Sequence, residues 1–300
     1  VISGMVVSGY GGFYQVRRDD GGAVVECKPR GRLKQDYTKI YPGDRVEISL
    51  LPAGDGMIES IGPRRTRLTR PQLVNFDQLI IVLAWKLPEY DLLLLDRLLV
   101  LAAEAGVRPL VCFNKLDLLE ERELPLFENI RDVYRAAGFT VLGASMRHQP
   151  SLEALRQQLG GGISVLAGPS GVGKSTLLNL LLGEESAETG RVSDRLRRGK
   201  HTTRYARILP LGETARAGFI ADTPGFFTLD LPQSVTDREL PRYYPDFQLD
   251  EPCRFDGCLH LSEPDCAVKL AVREGRIDGE RYRRYQRLQE EIKNREVIYR

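Results

Sequence analysis

Two short segments carry residues whose types and spacing suit the two ends of a purine nucleotide. Asn114-Lys115-Leu116-Asp117 follows the apolar run "PLVCF". The carboxylate of Asp117 can accept hydrogen bonds from the N1–H and the exocyclic amine of guanine, a donor pattern that adenine lacks, so it would select the base by pairing. Asn114 would contact the other purine edge or brace neighbouring loops, while the aliphatic stem of Lys115 lies along the base plane. "GAS", 143–145, closes the next apolar run and would aim the backbone N–H of Ala144 or Ser145 at the guanine oxygen.

Gly168-Pro169-Ser170-Gly171-Val172-Gly173-Lys174-Ser175-Thr176 lies between the apolar run "ISVLA" and an amphipathic stretch, the context that a phosphate-binding loop demands. Its glycines let backbone N–H groups point inward around phosphates, Lys174 offsets charge on the terminal phosphates, and Ser175 presents a hydroxyl to Mg²⁺. A guanylate kinase or a transporter ATPase could share such a loop, but the acceptor-nucleotide residues of the one and the "LSGGQ"-like segment of the other are missing from the sequence. "FIADTPGF" adds Asp222 to hold Mg²⁺ through water and Gly225 to offer a backbone N–H to the terminal phosphate. "GKHTTR" supplies Thr202 or Thr203 as the metal-binding switch threonine; spacing does not choose between them, and Thr203 is paired with Ser175 as the working magnesium set. The expected ligands are GTP or GDP with Mg²⁺.

These pieces run base, phosphate, switch, metal, whereas most guanine-nucleotide sites put the phosphate loop first. Cutting a doubly wound sheet at a surface loop and joining its old termini preserves every strand neighbour, so circular permutation accounts for the order. The chain then passes from the Asp222–Gly225 segment straight into a C-terminal module. There Cys253, Cys258, His260 and Cys266 offer three thiolates and an imidazole, a closed tetrahedral set suited to one structural Zn²⁺, whose removal is expected to unfold a small module. Cys27 and Cys112 sit in apolar surroundings and read as plain core residues.

The elements that must position these residues follow from periodicity. Residues 1–65 alternate short β-rich runs with turn signals at Asp20-Gly21-Gly22 and Pro42-Gly43-Asp44, the pattern of a small all-β barrel. "GPRRTRLTRP", 62–71, reads as a basic linker. From Phe76 onward strands at 78–84, 108–114, 140–145 and 163–168 alternate with helices near 91–105, 125–137 and 151–159, which implies a mainly parallel sheet covered on both faces. "YARILPL" and "AGFIADT" read as a strand pair, and the last part of the chain as helices. The domains expected are 1–65, 66–229 and 230–300.

Bulk properties bound the class. With 300 residues, 42% hydrophobic and 28% charged, the chain can bury more than one core, and nothing argues for disorder. The apolar run Leu92–Ala103 is broken by Asp96 and Arg97 and is too short to cross a bilayer, so no membrane partner and a cytoplasmic address are expected. A net charge of +2 means that any nucleic-acid surface comes from local clusters. Lys28, Arg30, Arg32 and Lys34 alternate on one face of an extended segment, and Phe13, Tyr14, Tyr37 and Tyr41 are either base-stackers or barrel packing. The loop 191–204 is strongly basic. In the last helix Tyr282, Tyr285, Leu288 and Ile292 form a packing stripe, with Arg281, Arg283, Arg284 and Arg287 expected on a solvated face.

The motif order, the β-rich start and the cysteine cluster together resemble the circularly permuted GTPases of the RsgA (YjeQ/YloQ) family, over essentially the whole chain. The resemblance implies an α/β fold class: a circularly permuted P-loop GTPase domain with an N-terminal all-β barrel of the oligonucleotide-binding (OB) type and a C-terminal helical zinc-binding domain. It implies GTP hydrolysis in late maturation of the small (30S) ribosomal subunit, stimulated by that subunit, with the subunit and its rRNA as partners of a monomer. Phe226 stands where Ras-like proteins carry the water-orienting glutamine, so intrinsic hydrolysis should be slow. In similar proteins the histidine of "HTT", here His201, has been assigned that role; a loop histidine contacting RNA is the equal alternative. Gly171 occupies the position of a potassium-recruiting asparagine in some relatives, which argues against that route. The alternatives to this reading are an RNA-binding scaffold with GTP as a structural ligand, and a GTPase acting on tRNA or a soluble protein.

Overall fold

The computed structural model describes residues 1–298 except 32, 34–38, 69–71, 146–148, 184–205, 213–217 and 223–229. Five strands at the start close into a barrel in the order β1-β2-β3-β5-β4. They are β1 (Ile2–Tyr10), β2 (Phe13–Arg18), β3 (Val25–Pro29), β4 (Arg45–Leu50) and β5 (Gly56–Ile61). Alternation decides the inward face: Val46 and Ile48 of β4 join Val6, Val16, Cys27 and Ile58 in one core. Gly11 and Gly12 turn β1 into β2 with φ of 60° and 85°, the left-handed pair that a two-residue hairpin needs. That turn was legible as Gly-Gly but was not among the turns read from the sequence.

The segment expected to be a linker is instead tied down on both sides. Arg64 reaches the fully buried Asp44 with Nε and Nη2, both at 2.7 Å, and lies 4.7 Å from the ring centre of Tyr41. β6 (Arg67–Leu68) pairs antiparallel with β7 (Leu73–Val74), and Asn75 Nδ2 donates to Gly43 O at 2.9 Å. Of the basic residues that suggested a solvated tether, Arg64 and Arg65 pair with Asp44 and Asp77, and Arg67 lies over the ring of Tyr41. Tyr41 itself is only 5% exposed, which removes it from the set of base-stackers.

The second sheet has the order β10-β9-β8-β11-β13-β12. Its strands β8 (Gln78–Ala84), β9 (Arg108–Asn114), β10 (Thr140–Gly143), β11 (Ile163–Ala167) and β13 (Phe219–Asp222) are parallel, and β12 (Arg207–Pro210) closes one edge antiparallel to β13. All seven residues of β8 are buried because both faces are covered. Leu79, Ile81 and Leu83 pack under helices α1 (Leu92–Glu104) and α2 (Leu124–Ala136), whereas Ile80, Val82 and Ala84 pack under α3 (Gln149–Gln157) and α4 (Lys174–Leu181). Asp91 Oδ1 caps α1 by accepting from the N–H of Leu93 and Leu94 at 2.8 and 3.1 Å.

The C-terminal region, with helices α5 (Ala267–Arg273) and α6 (Gly279–Ile298), shares its core with the central unit: Val100 of α1 clusters with Leu240, Tyr244, Phe247, Tyr285, Leu288 and Ile292. The expected packing stripe is therefore present. The expected solvated arginine face is only half present: Arg283 and Arg287 are exposed, whereas Arg281 is 1% exposed and bonds Asp96, the residue that interrupts the apolar run of α1. Arg284 Nε reaches the other oxygen of Asp96 at 2.6 Å, Tyr134 Oη donates to Asp96 at 2.9 Å, and Arg281 Nε meets Asp246 at 2.9 Å. A buried carboxylate needs such donors, and the two arginines supply them across the contact between α1 and α6.

Candidate nucleotide site and metal centre

The phosphate loop begins where β11 ends, and the base segment begins where β9 ends; both lie at the carboxyl edge of the sheet, flanking β8. Gly168 has φ of 141°, and a Cβ there would stand 2.1 Å from Val82 O, so the loop can leave β11 at this angle only with glycine. Gly171 and Gly173 also have positive φ, at 82° and 96°. Lys174 opens α4 and folds back on the loop, its Nζ donating to Gly168 O at 2.8 Å and Pro169 O at 2.7 Å. Burial holds the Lys174 ammonium below the usual lysine range, so the group is primed for an anion that would offset its desolvation.

Asn114 is fully buried, and its Nδ2 donates to Val172 O at 2.9 Å. Lys115, at φ 60°, sends its Nζ to Gly171 O at 2.7 Å and to Leu87 O. The base segment therefore grips the phosphate loop through two side chains. Asn114 Nδ2 makes the bracing contact, one of the two roles read from sequence; the ammonium of Lys115, which the sequence reading left aside in favour of its stem, is the second clamp. Asp117 is exposed beyond them and accepts from Ser145 Oγ at 3.0 Å.

Of the two N–H groups expected to face the guanine oxygen, that of Ala144 donates to Phe113 O at 2.7 Å, and that of Ser145 donates to Ser151 Oγ at 3.1 Å. Ser151 was not singled out beforehand. A serine in the first turn of a short helix carries no signal of its own until the fold brings it beside Ser145.

A cavity of about 390 Å³ is lined by Ser170, Gly173, Lys174, Ser175, Thr176 and Asp222. It joins the phosphate loop to the strand end that carries the expected magnesium carboxylate. Burial raises the Asp222 carboxyl above its usual range, and Arg207, its partner in the β12–β13 register, pulls it back. The lysine, hydroxyl and carboxylate facing one cavity form a donor set that fits a polyphosphate with Mg²⁺. His201, Thr202, Thr203 and Gly225 lie outside the described residues.

Cys253, Cys258, His260 and Cys266 converge, with all four ligand atoms within 4.8 Å of one another. His260 Nδ1 lies 3.5 Å from Cys253 Sγ and 3.3 Å from Cys266 Sγ, and those two sulfurs are 3.8 Å apart. Zn–S bonds of about 2.3 Å in a tetrahedron place ligand atoms about 3.8 Å apart, close to the separations among Cys253, His260 and Cys266, so the cluster is compatible with zinc. Burial pushes the Cys258 thiol up to about 12. Lys28 Nζ stands 4.6 Å from the ring centre of the half-exposed Phe13, while Arg30 is paired with Glu59; Arg32, Lys34 and Tyr37 lie outside the described residues, as does the basic loop 191–204.

A sheet with intact strand neighbours, a phosphate loop and an Asn-Lys-x-Asp segment in rotated chain order define a circularly permuted P-loop GTPase carrying a β-barrel and a Cys₃His module. The RsgA GTPase family model matches residues 61–232, and the RsgA N-terminal domain model matches residues 3–58. The chain belongs to the RsgA GTPase family and is a GTP hydrolase by class. It is 41% identical to the small ribosomal subunit biogenesis GTPase RsgA of Caldanaerobacter subterraneus subsp. tengcongensis, over 98% of this chain and 97% of the relative. The RsgA of Ruminiclostridium cellulolyticum is 40% identical over 97% and 94%. Among solved structures, YjeQ from Thermotoga maritima superposes with a TM-score of 0.84 at 33% identity, covering 97% of this chain and 98% of that one. YloQ, a circularly permuted GTPase, gives 0.83 at 32% identity, covering 98% and 96%.

Proposed function

We propose that the chain hydrolyses GTP to GDP and phosphate during maturation of the small ribosomal subunit, binding that subunit's rRNA, as a monomer in the cytoplasm. The observation that carries the nucleotide part is the double clamp of Asn114 and Lys115 on the phosphate loop, which brings the two reversed segments to one sheet edge. The relatives named for small-subunit biogenesis, alike along nearly their whole length, support the cellular role. No helix among the described residues is long and apolar enough to cross a membrane. The working domains are a barrel over 1–65, the GTPase unit over 66–229 and a zinc module over 230–300.

In this reading Asp117, steadied by Ser145, selects guanine, and Gly168, Pro169, Ser170, Gly171, Val172 and Gly173 wrap their backbone around the phosphates. Lys174 exchanges two loop carbonyls for phosphate oxygens as GTP enters, and the anion offsets the desolvation of its ammonium. Ser175 and Asp222 hold Mg²⁺, which when bound neutralises charge developing on the transferred phosphoryl group. Thr202 or Thr203 completes that shell, Gly225 offers its N–H to the terminal phosphate, and His201 orients the attacking water. Cys253, Cys258, His260 and Cys266 hold one structural Zn²⁺. Single-turnover GTP hydrolysis with and without small subunits tests the proposal. Stimulation that is lost in His201→Ala is expected; an unstimulated rate would leave the scaffold reading in which GTP is only a structural ligand.

A further inference from the structure

His260 has φ of 57°, a left-handed backbone that a non-glycine residue keeps only when its surroundings hold it there. The surroundings are unusually complete. Glu263 accepts from the N–H of Leu259 at 2.8 Å with one oxygen and from the N–H of Leu261 at 2.7 Å with the other. On the opposite side, Tyr285 Oη donates to Leu259 O and Tyr282 Oη to His260 O, both at 2.6 Å. Lys269 Nζ donates to Leu261 O at 3.3 Å. The tyrosines are held in turn by their own helix: Gln289 Nε2 donates to Tyr285 Oη at 2.8 Å, and Gln286 Nε2 to Tyr282 Oη at 3.3 Å. The rings of His260 and Phe247 meet edge to face, with centroids 5.5 Å apart and planes at 86°.

A peptide turn that carried its ligands loosely would need none of this. We propose that Tyr285, Tyr282 and Glu263 are positioning residues for the metal centre: helix α6 and the Glu263 carboxylate hold the His260 turn in its ligating shape before the ion arrives, and so set the affinity for Zn²⁺ together with the four ligands. The inference rests on the zinc reading given above. It reverses the expectation drawn from the sequence that the ion folds the module. The helix belongs to a core shared with α1 and stays helical when zinc leaves, and the turn around His260 keeps the hydrogen bonds that shape it. Partners of ligating groups ordinarily change metal affinity by 10–100-fold when removed.

The test is Zn²⁺ competition against a chromophoric chelator with the full chain, comparing wild type with Tyr285→Phe, Tyr282→Phe and Glu263→Gln, and with Arg283→Ala as a control whose side chain is 66% exposed. The tyrosine variants keep the ring and lose only the hydroxyl, so packing is preserved. The expected result is Zn²⁺ affinity about 10-fold or more below wild type for Tyr285→Phe and Glu263→Gln, with unchanged helical circular dichroism and a Co²⁺ absorption band altered in shape. Arg283→Ala should match wild type. Affinities within twofold of wild type in the three variants would overturn the proposal; should Tyr285→Phe fail to fold, Tyr282→Phe and Glu263→Gln decide it. Wild type that binds no Zn²⁺ would instead overturn the metal reading beneath it.

Discussion

Asn114 Nδ2 lies 2.9 Å from the backbone oxygen of Val172, a hydrogen bond that spans 58 residues of chain and joins the base-reading segment to the phosphate loop. In a chain whose motifs run in reversed order this bond is the spatial statement of the permutation. The order of strands along the sheet, with β8 between β9 and β11, is what makes it reachable. Lys115 repeats the connection on the neighbouring carbonyl of Gly171, so the two halves of the site are braced before nucleotide enters.

The Asp96 cluster should dominate the docking of α6. Removing one partner of a buried ion pair leaves the others uncompensated and costs about 3–5 kcal/mol. Asp96→Ala would leave the partly buried Arg284 without a carboxylate and Arg281 with Asp246 alone, and is expected to lower unfolding stability by that amount in urea titration. Arg283→Ala, on the exposed face of the same helix, should stay within about 0.5 kcal/mol of wild type.

Asp222 is expected to exchange stability for function. Its folded pKa is raised by burial, so the folded chain holds the proton more tightly than the unfolded one. The penalty is absent below the unfolded carboxylate range and grows as pH rises through the folded value. Asp222→Asn removes the charge. Its melting temperature without nucleotide should exceed that of wild type at pH 7 and converge with it in acid, while Mg²⁺-dependent GTP hydrolysis falls at least about 100-fold. A melting temperature below wild type at pH 7 would contradict this.

Gly168→Ala places a methyl group 2.1 Å from Val82 O on a backbone at φ 141°. Strain at an incompatible φ should cost more than about 1 kcal/mol, and the loop must move to accept the group. Thermal unfolding should report the loss of stability, and GTP titration should show binding lost with it, because the inward N–H groups shift with the loop.

The strand-and-helix frame was legible because its signals are local. "QLIIVLA" and "RPLVCFN" fall on β8 and β9 without error, since continuous apolar runs between helical stretches have few other solutions. The phosphate loop, the Asn-Lys-x-Asp segment and the Cys₃His set were legible for the same reason: each is compact in sequence. What escaped depends on distant partners. Arg281 and Arg284 look solvated until α1 brings a buried carboxylate to them, and Arg64 looks like a tether until Asp44 is found beneath it. Ser151 and the bracing ammonium of Lys115 have roles that only the assembled crevice assigns.

Calorimetric titration of the full chain with GTP and with ATP, in Mg²⁺, tests most directly that both reversed segments enclose one guanine nucleotide. A site built to pair guanine's donors rejects a base that lacks them by about 10⁴. The account predicts a preference of that order for GTP, collapsing in Asp117→Asn, with phosphate-end binding lost in both nucleotides for Lys174→Ala. ATP binding as tight as GTP in the wild-type chain, or a preference that survives Asp117→Asn, would contradict it.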